Sequence, residues 1–558
     1  MQLTPKQETT IRNAGLVMCI VLPWLNPFTS SPSTAVLPLL FSWMMSACAL
    51  LALVELPLAN ANWTYPERWA VSSLFMAWLA SLLYVPQVVD HGLTLGLLAA
   101  GLCVAVMTAV GRRAAVQSNQ LLGALLLAWV LAAAISSVLG LLQYLGLAHE
   151  LSPWVNQPFK GDAFANLRQR NQFASLTSLG LVALLGWVAW RTQARELTPS
   201  QSRTAWALLA LLSAGLACSV SRTGAVQWLL VGGLAAWWAW RHQAALAQRT
   251  LIWLALAAPL WVMLWSMLLP WAALQLTGDM GASMILRVAG QAQDYGMCGS
   301  RRVLWANVLQ MLAQHPWLGW GWGETDYAHF MTAYNGMRFC DILDNAHNLP
   351  LHLALEFGVP FAICVCLLIG VWAWRRQPWR EADATRLTAW GILLVLGIHS
   401  LLEYPLWYGP FQMSLGLAVG LLWANPAAKP NTQNQVLPML LASALFIGCL
   451  YAAWDFHRVG QVYRQPAARD VAYRNDPIGH AKRSWLFHNQ AEFADLTTSQ
   501  VTPDNAPTIY QQAMQLMHYS PEPSVVQRLI DSAKQLGLVD VAQMLEARLA
   551  DVQENGKR

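Results

Sequence analysis

Residues 121–147 read LLGALLLAWVLAAAISSVLGLLQYLGL, a run of 27 residues without a charged side chain. A helix that spans a bilayer needs about 20 mostly apolar residues, so this run is long enough to cross. In the whole chain of 558 residues, 56% are hydrophobic and only 11% are charged, whereas soluble domains carry about 25% charged residues. So much apolar surface has to lie against lipid, and the sequence predicts an all-α polytopic membrane protein.

Runs of this kind recur and predict about 12–13 transmembrane helices. The first run continues through Pro23, Asn26 and Pro27 without a small-residue cleavage site, so we expect a retained helix rather than a signal peptide. At about 20 apolar residues per span, thirteen spans are predicted, near residues 14–29, 35–58, 69–86, 92–110, 121–147, 172–190, 204–219, 223–240, 250–271, 349–374, 387–402, 405–424 and 436–456.

The distribution of Lys and Arg predicts the orientation. If the N-terminus is cytoplasmic, fifteen cations fall in short cytoplasmic segments and eight on the opposite side, in agreement with the positive-inside rule. An odd number of spans then puts the C-terminal tail outside the cytoplasm, which in a bacterium is the periplasm. We therefore predict a transmembrane region, 1–456, with a large periplasmic loop, 272–348, and a small α-helical periplasmic domain, 457–558. The net charge of +5 is spread over separate loops, which does not favour nucleic-acid binding.

The tail contains two apolar stripes at helical spacing, separated by Gly537. This pattern predicts a helical hairpin. One hairpin is compatible with a repeat-like interaction module but is weak evidence for a repeat array. The stripes are Val525, Val526, Leu529, Ile530, Ala533 and Leu536, and then Val541, Met544, Leu545 and Leu549.

The strongest local signal is the segment DNAHNLP, residues 344–350, at the start of a predicted membrane helix. Asn348 suits the N-cap and Pro350 suits the first helical turn. His347 would then sit just before a helix N-terminus, where the positive end of the helix dipole disfavours the imidazolium. A neutral imidazole at a wet membrane surface is suited to act as a general base. A capping or interfacial histidine is the alternative.

Arginines form further polar clusters on the predicted outer face. Arg301 and Arg302 precede the run HPWLGWGWG, residues 315–323; they suit bidentate phosphate binding, or else are solvated arginines of a structured loop. Arg222 lies in a very short turn between two spans, where an ionisable group indicates a functional site. The segments RQRN, 168–171, and HSLLEYPLWY, 399–408, lie on the same face. Each cluster alone is compatible with interfacial anchoring, but together with His347 they suit a substrate that carries a diphosphate and a sugar.

Seven of the nine cysteines fall in apolar spans, where cysteine behaves as a small apolar residue. The other two, Cys298 and Cys340, share the long outer loop. In an oxidising compartment they either form a disulfide or remain free thiols. The sequence has no CxxC pair and no Cys/His spacing that is typical of a metal site.

The polar clusters also resemble the motifs of a known family. RQRN, the SRTG turn at 221–224, the Arg-x-x-x-Trp of 301–305, HPWLGWGWG, AHN-xxxx-LALEFG at 346–358 and HSLLEYPLWY together resemble bacterial oligosaccharide transferases. More closely, they look like the pilin-type O-oligosaccharyltransferases, which share a Wzy-like superfamily with O-antigen ligases and O-antigen polymerases. The resemblance runs from about residue 14 to the tail. The LEYPLWY segment and the helical tail fit the protein-glycosylating branch better than the ligases.

The resemblance implies a GT-C-like fold and a glycan donor linked to undecaprenyl diphosphate. It implies transfer to Ser or Thr hydroxyls of pilin-like or other periplasmic proteins, at the periplasmic face of the inner membrane, without a metal or another cofactor. By matching motifs, His347 corresponds to the essential catalytic histidine, and Arg222 and Arg301 correspond to catalytic arginines that face the diphosphate. The expected substrate-binding residues are Gln169, Arg170, Asn171, Arg302, Arg168, Glu403, Tyr404 and Asn348.

Three alternative functions stay open. An O-antigen ligase would use the same chemistry on a lipid A-core sugar and would not need the tail, and an O-antigen polymerase is a second enzyme alternative. A transporter of lipid-linked sugars would place polar residues near the bilayer midplane, in two related halves. Here the polar residues gather at one predicted face and the sequence has no internal repeat, which favours a transferase.

Overall fold

The computed structural model describes residues 4–56, 72, 91–116, 119–158, 163–194, 197–241, 247–285, 297–424 and 435–555. These residues form α-helices and short 3-10 turns, with no β-strand among them, which confirms the all-α class. The first eight helices are α1 Pro5–Leu25, α2 Val36–Leu51, α3 His91–Val116, α4 Asn119–Tyr144, α5 Arg170–Ala194, α6 Pro199–Ser219, α7 Arg222–Arg241 and α8 Ala247–Thr277. The next seven are α9 Arg301–Gln314, α10 Thr325–Met331, α11 Leu349–Phe357, α12 Val359–Arg376, α13 Ala384–Ser400, α14 Gly409–Trp423 and α15 Val436–Gly460.

The helices agree with a polytopic membrane protein. Among the described residues, seven helices are long and apolar enough to cross a bilayer, and α2 and α13 are apolar but shorter. Helices α1, α7 and α14 also coincide with predicted spans without meeting that criterion. The predicted span 69–86 lies almost entirely outside the described residues. The total of about 12–13 crossings therefore stays a prediction.

Small residues let two of the helices approach closely. A Cβ on Gly420 of α14 would lie 2.3 Å from the carbonyl oxygen of Thr108 on α3, and one on Gly416 would lie 2.5 Å from that of Val104. Close backbone contact of this kind is a typical source of helix association in membranes. It fixes α14 against α3, and thereby fixes the turn that joins α13 to α14.

One predicted span is wrong as a continuous helix. The structure divides 349–374 into α11 and α12 at Gly358, whose φ is +90°. The carbonyl groups left without helical partners are bonded by the glycine-rich loop before α10: Trp320 N donates to Leu355 O at 2.8 Å, and Gly321 N donates to Glu356 O at 3.0 Å. The sequence does not reveal this break, because the whole segment is apolar.

A disulfide between Cys298 and Cys340 stabilises the long loop between α8 and α11, with the two Cα atoms 5.3 Å apart. It answers the question that the sequence left open. The bridge connects two segments. One lies just before α9, which begins at Arg301, and the other leads to His347.

The tail after α15 is helical, and its last two helices form the predicted hairpin around Gly537, whose φ is +72°. The tail packs on the long loop: Phe330 of α10 belongs to the same buried apolar cluster as Leu496 and Ile509. The tail and the loop therefore share a core. The tail helices are α16 Pro477–Ala481, α17 His488–Thr498, α18 Ala506–Met517, α19 Pro523–Gln535 and α20 Val539–Asn555.

We expect Gly358→Ala to destabilise the protein. A Cβ at this position would lie 2.0 Å from the Trp317 carbonyl oxygen, and a strained left-handed φ alone costs on the order of 1–3 kcal/mol. The midpoint of thermal unfolding in detergent measures the effect. Gly370→Ala in α12 is the matched control, because no atom lies within 4 Å of its added Cβ. Equal midpoints for the two variants would contradict this interpretation of the break.

The disulfide predicts a difference in thiol labelling. In denaturant, a maleimide reagent should label the seven free cysteines of the untreated protein and all nine cysteines after reduction. Mass spectrometry of the labelled chain counts the adducts. Nine adducts without reductant would show that Cys298 and Cys340 are not bridged.

Candidate functional site

Glu403 lies at the centre of a cluster that joins four segments distant in the sequence. Its Oε1 accepts hydrogen bonds from the Arg301 guanidinium and, at 3.0 Å, from Asn171 Nδ2. Its Oε2 lies 2.8 Å from His347 Nδ1 and 3.3 Å from Gln169 Nε2. Hydrogen bonds to a charged group are stronger than neutral ones, and the Glu403 side chain is only 7% exposed. One carboxylate thus organises side chains from four separate segments.

Helix ends bring these side chains together. Helix α13 ends at Ser400, and the Glu403 amide donates to the His399 carbonyl oxygen at 2.8 Å, which turns the chain toward the start of α14. Asn171 lies in the first turn of α5, and Arg301 is the first residue of α9. The site is therefore at one end of the helix bundle, at the boundary of the apolar region rather than within it.

A further hydrogen bond connects the cluster to the turn before α7. Ser221 Oγ donates to Asn171 Oδ1 at 2.7 Å, and the next residue, Arg222, is the half-buried first residue of α7. Val220 closes α6 with a left-handed φ of +53°. Arg222 forms no hydrogen bond or ion pair with the described residues. Its guanidinium is therefore available to a ligand.

The backbone holds His347 in a strained conformation, with φ at +50°. A non-glycine residue in this region costs on the order of 1–3 kcal/mol, and such residues gather at functional sites. The His347 amide donates to Asn345 Oδ1 at 2.9 Å. Asn348 caps α11 by accepting from Leu351 N at 3.0 Å, and its Nδ2 donates to Leu401 O at 2.9 Å. These bonds fix the segment that carries the imidazole.

The contact with Glu403 determines how the imidazole can act. A carboxylate oxygen at Nδ1 favours the tautomer with the proton on Nδ1, which leaves Nε2 as a proton acceptor. Nε2 makes no hydrogen bond to the described residues, and the His347 side chain is 25% exposed. The edge of the Tyr404 ring lies against the imidazole, with centroids 4.9 Å apart. The arrangement can therefore remove a proton from a group that approaches Nε2.

The charges around Glu403 keep it ionised. Burial alone would raise the pKa of Glu403, but the hydrogen bond with His347, together with the charges of His347 and Arg301, lowers it below its usual value. Burial raises the pKa of the nearby Asp344, and the charge of His347 acts in the opposite direction. A lowered pKa favours the carboxylate form of Glu403, which is the form that orients the imidazole.

Most of the residues expected at a site lie in this cluster or beside it. Gln169, Asn171, Arg301, His347 and Glu403 are joined directly. The expected residues beside the cluster are Arg222, Asn348, Tyr404 and Arg170, the first residue of α5.

Two expected residues are not part of the network. Arg168, with a φ of +59°, donates to the Pro27 carbonyl oxygen at 2.5 Å, which ties its loop to the end of α1. Arg302 is exposed and forms no hydrogen bond or ion pair with the described residues. The structure thus gives Arg168 a structural contact and leaves Arg302 at the surface. A substrate-binding role for either residue stays a prediction.

A cavity of about 240 Å³ that no sequence motif predicts lies next to the cluster. Trp322, Asp326 and His352 line it together with His518 and Tyr519 of the tail. The HPWLGWGWG run indicated Trp322, but His518 and Tyr519 belong to no motif. Only the folded chain brings the tail to this position.

Metal binding has no obvious place in the part of the chain that the structure describes. There, no group of three or more His, Cys, Asp or Glu side chains is arranged to hold a metal ion. The expected independence from metals remains a prediction.

Three family models match separate segments of the chain. Residues 163–187 match a protein glycosylation ligase model, residues 207–366 match an O-antigen ligase model, and residues 387–551 match the C-terminal region of a virulence factor membrane-bound polymerase. Every expected site residue lies within one of these segments. The third segment includes Glu403 and most of the tail.

Two curated proteins of Acinetobacter baylyi are similar to the chain. A general O-oligosaccharyltransferase is 24% identical over 333 residues, which is 58% of this chain and 54% of that protein. A ComP-specific O-oligosaccharyltransferase is 24% identical over 208 residues, which is 36% of this chain and 34% of that protein. The alignment thus spans about half the length of the first relative and a third of the second. These matches confirm the resemblance to O-antigen ligases and O-oligosaccharyltransferases.

Glu403→Gln should make the protein less stable in a pH-dependent way. A carboxylate with a lowered pKa stabilises the folded state above its usual pKa, and this stabilisation is lost as the pH falls through the lowered value. At pH 7 we expect a loss of roughly 1–3 kcal/mol, because Arg301 and His347 lose a charged partner. The difference in the free energy of unfolding between the variant and the wild type should shrink below about pH 4.5, the usual pKa of a glutamate.

Thermal unfolding in detergent at several pH values measures this effect. Glu150→Gln is the control, because the Glu150 side chain is 80% exposed. If the unfolding midpoints of Glu403→Gln and the wild type differ by the same amount at every pH, the charge of Glu403 does not stabilise the fold.

Proposed function

We propose that this chain is a membrane glycosyltransferase that moves a glycan from undecaprenyl diphosphate to Ser or Thr hydroxyls of pilin-like or other periplasmic proteins. One observation carries the proposal: His347 and Arg301, 46 residues apart in the chain, both contact the Glu403 carboxylate. This contact joins a proton acceptor to a cation that can bind a diphosphate. The curated relatives named as O-oligosaccharyltransferases support the same activity.

His347 acts as the general base. Its Nε2 takes the proton of the acceptor hydroxyl, while Glu403 holds Nδ1 and stabilises the imidazolium that forms. A base oriented by a carboxylate is the arrangement that activates a hydroxyl nucleophile in other enzymes. Proton transfer of this kind contributes roughly 10²–10⁴-fold to a rate.

Arginines at helix starts bind the donor diphosphate. Arg170, Arg222 and Arg301 are the first residues of α5, α7 and α9. A cation at a helix N-terminus is unfavourable by about 0.3–1 kcal/mol, because it faces the positive end of the helix dipole. Three such positions at one end of the bundle therefore favour a functional explanation. Arginines and helix N-termini both attract phosphate.

The reaction is a single displacement. The acceptor oxygen forms a bond to the anomeric carbon while the bond between that carbon and the diphosphate oxygen breaks. The hydroxyl proton moves to His347, and the diphosphate leaves on the lipid with its charge stabilised by Arg222 and Arg301. The anomeric configuration is inverted, and no step uses a metal.

The site faces the periplasm at the inner membrane. The excess of Lys and Arg in the short segments at the other ends of the spans supports this orientation, as does the disulfide in the long loop, since disulfides persist in oxidising compartments. The polyprenyl chain of the donor lies between helices near the start of α7. The tail then lies on the periplasmic side, where the acceptor proteins are.

An O-antigen polymerase is the second candidate, because residues 387–551 match a polymerase model. Its acceptor would be another lipid-linked glycan rather than a protein. An O-antigen ligase would instead use a lipid A-core sugar. All three activities use the same base and the same arginines, so the identity of the acceptor separates them.

We expect His347→Ala to lower transfer by about 10²–10⁴-fold without loss of folding. The assay combines the purified chain in nanodiscs, a lipid-linked oligosaccharide and a pilin acceptor, and mass spectrometry reads the shift of the acceptor. His149→Ala is the matched control, because the His149 side chain is 68% exposed and its carboxylate partner is the neighbouring Glu150.

If the His347→Ala variant turns over at the wild-type rate, His347 is not the general base. Loss of wild-type activity in EDTA would refute the metal-free displacement. Transfer to a second lipid-linked glycan instead of the pilin would assign the chain to the polymerases.

A further inference from the structure

The cavity beside the site has walls from several distant parts of the chain. Its volume is about 240 Å³, several times the ~30 Å³ that one water molecule takes in the liquid. We name it the loop–tail cavity. Its lining includes Trp322, Glu324, Asp326 and Asp344 of the long loop, His352 and Glu356 of α11, Trp407 after α13, and Asn489, His518 and Tyr519 of the tail.

The loop–tail cavity adjoins the candidate active site. His352 and Trp407 line this cavity and also a small hollow beside Glu403. Asp344, another lining residue, is three positions before His347. A ligand in the cavity would therefore lie close to a substrate that reacts at His347.

Polar atoms on the cavity wall have no partner within the described residues. They include Trp322 Nε1 and His352 Nδ1. His352 is only 2% exposed. A buried polar atom without a hydrogen bond costs about 1–3 kcal/mol, so a partner from a ligand would be favourable. These two atoms point to a ligand independently of the acidic residues around them.

The carboxyl groups on the wall do not suit an anionic ligand. Burial raises the pKa of Asp326, and the charges of Glu324 and Asp344 raise it further. Glu324 accepts a hydrogen bond from His518 Nδ1 at 2.7 Å. Among the described residues, the lining of the cavity offers no Lys or Arg to a phosphate. The diphosphate therefore belongs with the arginines, and a different part of the substrate belongs here.

The donor atom Trp322 Nε1 on the wall favours a ligand with hydrogen-bond acceptors over a simple cation. Trp322 Nε1 can only donate a hydrogen bond, and an ammonium group has no acceptor for it. A sugar hydroxyl both donates and accepts, so it can bond Trp322 and the carboxylates at once. The indole of Trp322 lies 6.2 Å from that of Trp407 and stacks on Phe357 at 5.6 Å. Such rings offer an apolar wall for the C–H face of a sugar.

The shape of the cavity also favours a sugar over a peptide. Peptides commonly bind along an exposed strand edge or in a groove for a helix. The part of the chain described by the structure has no strand, and the cavity is a compact space between the loop, α11 and the tail.

We propose that the loop–tail cavity binds a sugar residue of the donor glycan, and that the tail thereby helps to select the glycan. The inference rests on the proposed function, since it places the glycan of that donor. Asn489, His518 and Tyr519 are the tail residues that meet the sugar. The tail is then part of the donor site as well as a candidate surface for acceptors.

Two variants test the cavity with little change in side-chain size. Trp322→Phe removes the Nε1 donor and keeps an aromatic ring, and Asp326→Asn replaces the carboxyl group by an amide of similar size. Trp317→Phe and Asp504→Asn are the matched controls, because Trp317 is 75% exposed and Asp504 is exposed on the tail. Gel filtration and thermal unfolding of the full chain verify that every variant folds, and Asn489→Ala provides a further variant from the tail.

The first measurement is equilibrium binding, which needs no turnover. The probe is the free oligosaccharide released by mild acid from the undecaprenyl diphosphate carriers of the producing bacterium. Saturation-transfer NMR with the full chain in nanodiscs measures its affinity. We expect both cavity variants to lose at least about tenfold in affinity and both controls to equal the wild type. Equal affinity for folded cavity variants and the wild type would overturn the proposal.

The second measurement is steady-state transfer with separate titrations of donor and acceptor. The cavity variants should raise the KM for the lipid-linked donor at least about tenfold and leave the KM for the acceptor protein unchanged. A change confined to the acceptor KM would assign the cavity to the acceptor and overturn the proposal. Oligosaccharide binding that depends on Trp322 and Asp326, without any transfer by the wild type, would refute the proposed function and still support the sugar site.

Discussion

The contact of one carboxylate with a guanidinium and an imidazole organises the whole site. Glu403 follows α13, Arg301 begins α9, and His347 precedes α11. A buried carboxylate without partners would be very unfavourable, so the fold has to bring cations to it. The same need fixes the imidazole in one orientation, because its Nδ1 faces Glu403 Oε2 at 2.8 Å. The contacts that stabilise the buried Glu403 carboxylate are thus the same contacts that orient the His347 imidazole.

The surrounding backbone accepts unfavourable conformations that keep this contact in place. Of the five non-glycine residues with positive φ among the described residues, Arg168, Val220 and His347 lie at or beside the site. The break at Gly358 separates α11 from α12, and the loop before α10 bonds the carbonyl groups that this break leaves free. The short helix α11 has its own N-cap at Asn348, directly after His347, and ends at this break.

The fold class and much of the site could be predicted from the sequence, because apolar runs and polar clusters are local patterns. Charge-free runs such as 121–147 predicted helices, and the segments around Arg222, Arg301 and His347 stood out against them. The central place of Glu403 could not be predicted, since a glutamate in a short turn looks the same whether it binds a substrate or a histidine. The break at Gly358 is hidden in an apolar segment.

The loop–tail cavity could not be predicted at all, because it depends on tertiary packing. His518 and Tyr519 reach it from the tail only because Phe330 and the tail helices share a buried cluster. Arg168 was expected at the site because it belongs to RQRN, and its guanidinium also bonds the Pro27 carbonyl oxygen. The sequence does not show this contact between two loops, and a substrate-binding role of Arg168 stays a prediction.

A double-mutant cycle of His347 and Glu403 tests the central claim most directly. If Glu403 orients the imidazole, Glu403→Gln will lower the transfer rate much less in the His347→Ala background than in the wild type, because the carboxylate then has no imidazole to orient and keeps only its contacts with Arg301 and the amides. If the two substitutions instead multiply their separate effects on the rate, the carboxylate and the imidazole act independently, and the account is contradicted.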